Sequence, residues 1–404
     1  MTTTPPHRPS IEPLPSIGVL VALMTLAASQ IRENNFQDLF IYRAGAAVAL
    51  TGESPYRAGA VRPQIEAQWP DDARLADNSG FFLPPAGIAL FAPFAAVPWP
   101  AAKVLWVVVL VLAGLAAFAL SRLFLPPDAD QNPLLRPLVA AAVLLNPVTV
   151  AGVVVGQTSL VVLGCIIWGQ VAWDGGYRRL AGPLWAVAFV KPHLALPLLP
   201  LAWYLGGWKR AAELAAWVAG LTAVGWLLAG APSSLFADYL AYLADGHKAV
   251  AFNRAALNPQ VTSWNRLLIG LGGPAVELNA PLILAGYAVW AGLVAGRVWQ
   301  AGKPSPAWAT AAAATGALLC SQVLGYELVL LALTVPLIRD LFRDGRRGLG
   351  WAFVAVLVLT SVPLEMAEPV FPSHRSLGVA VSAVLVVWSA AATRESPPVA
   401  TGGH

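Results

Sequence analysis

Asp38 is the first candidate for chemistry in this sequence. It lies in the polar stretch Asn34-Asn35-Phe36-Gln37-Asp38-Leu39-Phe40-Ile41-Tyr42-Arg43-Ala44-Gly45, directly after the first long apolar block. An aspartate ahead of an apolar-periodic run is also a common helix start. On local grounds a cap and a catalytic carboxylate are both open, and the two roles can coexist.

Other polar groups interrupt the apolar blocks further on. Asn146-Pro147 and Gly156-Gln157-Thr158-Ser159 break one long run, and amides in hydrocarbon need partners, so Gln157 reads as an interhelical hydrogen-bond site or as cavity lining. Lys191-Pro192-His193 falls inside another block, where a lysine either pairs with an anion or snorkels to the interface at a helix break. Tyr326-Glu327 forms a third island, with Glu327 functional by default or paired with an arginine. The segment holding Arg254, Asn258, Gln260, Ser263 and Arg266 is dense in amides and hydroxyls with few acids. Such a surface suits sugar hydroxyls or a phosphodiester, whereas an ordinary solvated loop carries more Lys and Glu.

These groups need a membrane-embedded frame. Of 404 residues, 57% are hydrophobic and 11% charged, and the apolar residues come in long blocks. That is the pattern of an integral membrane protein. Twelve blocks are long enough to count, at roughly 16–31, 83–98, 104–120, 138–155, 158–172, 182–205, 211–230, 280–296, 306–320, 323–338, 349–364 and 376–391. Several are short, and 34 Pro with 35 Gly fit helices broken where protein or water satisfies the backbone. The expected fold is therefore all-α and polytopic, with about 12 transmembrane helices.

Basic residues cluster in the turns at Lys209-Arg210, Arg297 to Lys303 and Arg339 to Arg347, which the positive-inside rule assigns to the cytoplasm. Counting back places the loops 33–80 and 231–265 outside, with residues 122–195 less well determined because Arg122, Arg136, Arg178 and Arg179 oppose the count. Leu39, Tyr42, Ala46 and Ala49 recur at helical spacing, which predicts an amphipathic helix along the outer membrane face, ended by Gly52-Glu53-Ser54-Pro55-Tyr56. The expected organisation is a cytoplasmic, disordered 1–15, one membrane domain over 16–392, with the block at 16–31 retained rather than cleaved, and a disordered cytoplasmic tail at 393–404.

Several classes of function are excluded or disfavoured. The net charge of +4 has no basic cluster interleaved with aromatics, so nucleic acid is not a partner. Cys165 and Cys320 sit far apart in apolar blocks and read as small core residues. No Walker sequence, dinucleotide fingerprint, His-Glu-x-x-His site or Gly-x-Ser-x-Gly elbow is present, and the carboxylates are not spaced as metal ligands. With no nucleotide site, a group-transfer substrate would be lipid-borne and already activated. The alternative is a transporter or flippase of lipid-linked sugar, which would need a path open to both sides and some repeat symmetry. No internal repeat is visible.

In order along the chain, Asp38 to Gly45, Gly52-Glu53-Ser54-Pro55-Tyr56, Phe82-Leu83-Pro84-Pro85, Gly156-Gln157-Thr158-Ser159, Lys191-Pro192 and the spaced Asn258, Gln260, Ser263 and Arg266 resemble glycosyltransferase family 87. These are polyprenol-phosphate-sugar-dependent membrane transferases of the GT-C superfamily, among them mycobacterial α-mannosyltransferases. The resemblance covers roughly 33–340 and departs at Tyr326-Glu327, where family members often carry an aspartate. It implies a GT-C-like fold with juxtamembrane helices in the first outer loop, in a bacterial cytoplasmic membrane with the site facing outward. It implies Asp38 as general base in an inverting transfer from a polyprenyl-phosphate sugar to a glycolipid or glycan hydroxyl. Tyr42, Arg43, Tyr56, Gln157, Lys191, His193, Arg254, Asn258, Gln260, Ser263, Arg266, Tyr326 and Glu327 are then the substrate-binding candidates, with Lys191, Arg254, Gln260 and Arg266 toward the phosphate. No metal or cofactor is expected.

Overall fold

A computed structural model describes residues 13–32, 35–70, 80–124, 135–246, 258, 260–274, 280–302, 304–367 and 373–390. The two expected tails therefore lie almost entirely outside the described residues, as does Arg254. The chain opens with α1 (Pro13–Arg32), α2 (Gln37–Leu50), α3 (Arg62–Gln68), α4 (Pro85–Ala95) and α5 (Trp99–Phe124). An elbow of α6 (Leu135–Leu144) and α7 (Pro147–Val155) follows, then α8 (Ser159–Asp174), α9 (Arg178–Ala188), α10 (Pro192–Ala195), α11 (Leu198–Gly206), α12 (Trp208–Leu228) and α13 (Leu235–Ala241). A short strand β1 (Val261–Thr262) leads into α14 (Trp264–Gly270), α15 (Ala280–Ala301) and α16 (Pro306–Cys320). Strand β2 (Val323–Leu324) enters a 3₁₀ helix (Gly325–Thr334), and α17 (Val335–Arg343), α18 (Arg347–Ser361), α19 (Leu364–Ala367) and α20 (His374–Ser389) complete the described chain.

The all-α class holds, since β1 and β2 form one antiparallel two-residue pairing. The span count does not follow as expected. Among the described residues three helices are long and apolar enough to cross a membrane, at Trp99–Leu120, Trp208–Leu228 and Pro281–Gln300, or four if the elbow of α6 and α7 counts as one. The other apolar helices have 10–17 residues or are interrupted. Proline is the main reason: it cannot donate to the preceding turn, so runs stop at Pro147, Pro192 and Pro197. The first helix also begins at Pro13, inside the segment expected to be disordered.

Local chemistry explains where the helices start. Pro85, Pro147 and Pro306 each occupy the first helical turn, where a missing amide hydrogen costs least. Asn146 caps α7 by accepting from Val148 N at 2.9 Å, and Ser305 caps α16 from Trp308 N at 3.2 Å. Close packing then uses small residues: a Cβ on Gly164 of α8 would come within 2.8 Å of Ala113 Cα in α5. By contrast α12 and α15 keep most of their apolar surface outside the protein core, as lipid-facing helices do. Trp203, Trp208, Trp299 and Trp351 are exposed beside the basic turns, where an interfacial aromatic belt would sit.

The helix α2 departs from expectation in a way that bears on function. It forms, but it is buried on nearly every side instead of presenting one apolar face to the membrane. Helix α4 packs along it, and Phe40 is flanked edge-on by Trp69 at 4.9 Å and Trp99 at 5.1 Å. Spacing alone could not distinguish this environment, because alanines and glycine fill the intervening positions and are equally compatible with either.

Candidate active site

Asp38 does not cap α2. The cap position belongs to Phe36, which adopts a left-handed conformation (φ 66°, ψ 40°) and is fully buried. A bulky residue there is strained unless its surroundings fix it. Here the Phe36 N–H donates to Val154 O at 3.2 Å, which docks the start of α2 on the end of α7. Asp38 is thereby placed in the first turn with its side chain turned inward, half-buried.

The turn it meets is built around Gly156. This residue has φ +79°, the left-handed conformation that ends α7, and a Cβ on it would lie 2.9 Å from Leu39 Cβ. The chain reverses there, with Gln157 N donating to Gly152 O at 2.8 Å, and Gln157 enters the interior. Its Nε2 donates to Asp38 Oδ2 and, at 2.9 Å, to Tyr326 Oη. Its Oε1 accepts from Tyr42 Oη at 3.0 Å and from Lys191 Nζ at 2.7 Å. All four hydrogen-bonding positions of the amide are filled.

Lys191 occupies the break between α9 and α10, where the following proline keeps it out of helical geometry (φ −119°, ψ 82°). It is buried, so the snorkelling alternative fails. Its ammonium reaches Gln157 Oε1, Ser159 Oγ at 3.1 Å and Glu327 Oε1 at 2.6 Å, and it lies 5.2 Å from the centre of the Tyr326 ring. Glu327 is therefore paired with this lysine and not with an arginine. Its second oxygen accepts from Leu324 N at 2.8 Å, and His193 Nε2 stands 3.4 Å from the first, an ion pair only when the ring is protonated. The 3₁₀ geometry of the segment, unusual over ten residues, presents Tyr326 and Glu327 together at its first turn.

Asp38, Tyr42, Gln157, Lys191, His193, Tyr326 and Glu327 thus converge from four places in the chain. Ser159 joins them; it stands within Gly156-Gln157-Thr158-Ser159 but not among the binding candidates drawn from the sequence. A hydroxyl two residues beyond an amide in the same helix break was the available signal. Burial pushes the Asp38 carboxyl up to about 6; the Gln157 hydrogen bond and the Lys191 charge pull it down, and the Glu327 charge adds to the rise. Among the described residues Asp38 Oδ1 makes no hydrogen bond.

The remaining candidates are elsewhere. Arg43 turns away and donates to Phe94 O at 3.0 Å and Val97 O at 2.9 Å, closing the end of α4. Tyr56 donates to Leu83 O at 3.0 Å within a cluster of Phe81, Tyr239 and Tyr242 that joins the segments 33–80 and 231–265. Asn258 and Ser263 have local tasks: Asn258 Oδ1 accepts from Gln260 N at 2.9 Å, and Ser263 caps α14 through Arg266 N at 3.4 Å. Their segment nevertheless adjoins the site, because Val261 pairs with Leu324 and Thr262 with Val323, directly ahead of Tyr326 and Glu327. Among the described residues no three His, Cys, Asp or Glu are grouped to hold a metal.

No curated protein matches the chain. The model of glycosyltransferase family 87 matches residues 81–321, more than half the length, taking in Gln157, Lys191 and the Asn258 to Arg266 segment while α2 lies ahead of it and Tyr326-Glu327 just beyond. A polar network enclosed by apolar helices and this match agree: the chain belongs to glycosyltransferase family 87 and is a membrane glycosyltransferase.

Proposed function

We propose that the protein is an inverting glycosyltransferase that moves a monosaccharide, mannose or another, from a polyprenyl-phosphate donor to a hydroxyl of a glycolipid or cell-envelope glycan. The reaction takes place at the outer face of the bacterial cytoplasmic membrane, with Asp38 as general base. The observation that carries this reading is the state of the Asp38 carboxylate, gripped through Oδ2 by Gln157 while Oδ1 makes no bond among the described residues. A base needs one free oxygen within hydrogen-bond reach of the proton it takes, and a partly dry site that raises its affinity for that proton.

In the step, Asp38 takes the proton of the acceptor hydroxyl as that oxygen bonds to the anomeric carbon. The bond from this carbon to the phosphate oxygen breaks, and its electron pair leaves with polyprenyl phosphate. The departing phosphate needs amide and cationic donors. Gln260 and Arg266 are carried toward the site by the β1–β2 pairing, and Arg254 belongs to the same segment. No metal takes part in this reading.

The test is to incubate purified protein with polyprenyl-phosphate mannose, arabinofuranose and glucose and follow loss of donor. One donor should be consumed. Asp38→Asn should still bind it but turn over about 10² to 10⁴ times more slowly. Near-full turnover by that variant would remove the base assignment, and no consumption by folded protein would favour a transporter.

A further inference from the structure

We propose that Lys191 and Gln157 are positioning residues, with Lys191 orienting the Gln157 amide so that Gln157 holds Asp38, and that Lys191 is not a ligand of the donor phosphate. The inference rests on reading Asp38 as the base and concerns how that base is held. It follows from counting donors and acceptors. An ammonium has three N–H groups and no acceptor, and those of Lys191 are directed to Gln157 Oε1, Ser159 Oγ and Glu327 Oε1. None is left for a substrate oxygen.

The same count fixes the amide. Lys191 can only donate, so the carbonyl of Gln157 must face it; ionised Asp38 can only accept, so the NH₂ must face Asp38. Reversing the amide would set donor against donor at one end and acceptor against acceptor at the other. The hydroxyls of Tyr42 and Tyr326 fit either orientation and therefore follow it, one donating to Oε1 and one accepting from Nε2. Asp38 is left with Oδ2 engaged and Oδ1 open. The ionisable groups around it are Tyr42 on its own helix, Lys191 and His193 from the α9–α10 break, and Tyr326 and Glu327 from the 3₁₀ helix.

Two measurements on the full-length protein test this. Infrared titration of the Asp38 carboxyl, assigned as the band missing in Asp38→Asn, reads its protonation without any substrate. Gln157→Leu removes the hydrogen bond to the charged form, and Gln157→Glu puts a second carboxylate in its place while keeping an acceptor for Lys191. Both should move the Asp38 midpoint upward, by about one pH unit or more. The second measurement is binding of polyprenyl monophosphate, which carries the phosphate whatever the sugar. Lys191→Met combined with Glu327→Leu should leave its Kd within about threefold, whereas loss of a direct lysine–phosphate contact would weaken it about tenfold or more.

An unmoved midpoint in folded Gln157→Glu, or a tenfold loss of polyprenyl monophosphate affinity in the paired variant, overturns the proposal. If instead Asp38→Asn keeps its turnover, the base reading fails while the titration result stands.

Discussion

Gln157 donates from Nε2 to Asp38 Oδ2 across 119 residues of sequence. This bond ties the first helix after the opening apolar segment to the break that follows α7. It also makes the proton affinity of Asp38 a property of the assembled protein rather than of its own helix.

Activity should therefore rise with pH through about 6, since a general base works only when deprotonated and burial first, then the Glu327 charge, holds Asp38 above its ordinary 3.8. Stability should move the opposite way. The folded protein binds this proton more tightly than the unfolded chain, so the contribution is complete below 3.8 and is lost as pH rises through about 6. A pH–kcat/KM profile alongside thermal melts across the same range checks both signs. A rate that falls with rising pH between 5 and 7 would contradict the assignment.

The buried pair of Lys191 and Glu327 should behave as a unit. Glu327→Leu alone strands a buried ammonium and should cost about 3–5 kcal/mol. Lys191→Met in the same chain should recover most of that loss, because two apolar side chains then fill the space. Denaturation of the single and paired variants measures the coupling; additive effects would show that the pair is not linked.

Gly156→Ala should lower turnover more than its stability cost alone would. A Cβ there meets Leu39 Cβ at 2.9 Å and lies 3.2 Å from Phe36 Cα, so the start of α2 must shift away from Gln157. Strain at φ +79° and overpacking together should cost about 1–3 kcal/mol. Comparing kcat with the melting temperature separates a displaced Asp38 from a merely weakened fold.

Arg43→Ala should lower the melting temperature and leave donor KM unchanged within error. Its guanidinium serves the carbonyls of Phe94 and Val97, and losing these charged hydrogen bonds should cost about 1–3 kcal/mol. A tenfold rise in KM would return Arg43 to the binding site.

The sequence by itself determined the membrane class, the helical fold and the polar positions. Long apolar blocks leave no other state for a chain in lipid, and an amide, an ammonium or a carboxylate inside such blocks must find a partner. Proline and glycine likewise marked the breaks at Asn146-Pro147, Gly156 and Pro192, because their effect on the backbone is local. Which polar groups would pair was not legible. Arg43 stands in the same stretch of sequence as Asp38 and Tyr42, yet only the latter two point at Gln157. That choice depends on the rotation of α2 about its axis, set by α4, Trp69 and Trp99. The partners of Lys191 and the role of the Asn258 to Arg266 segment depend in the same way on the meeting of α8, the 3₁₀ helix and the β1–β2 pairing. Such contacts join residues from 32 to 136 positions apart, and packing alone decides them.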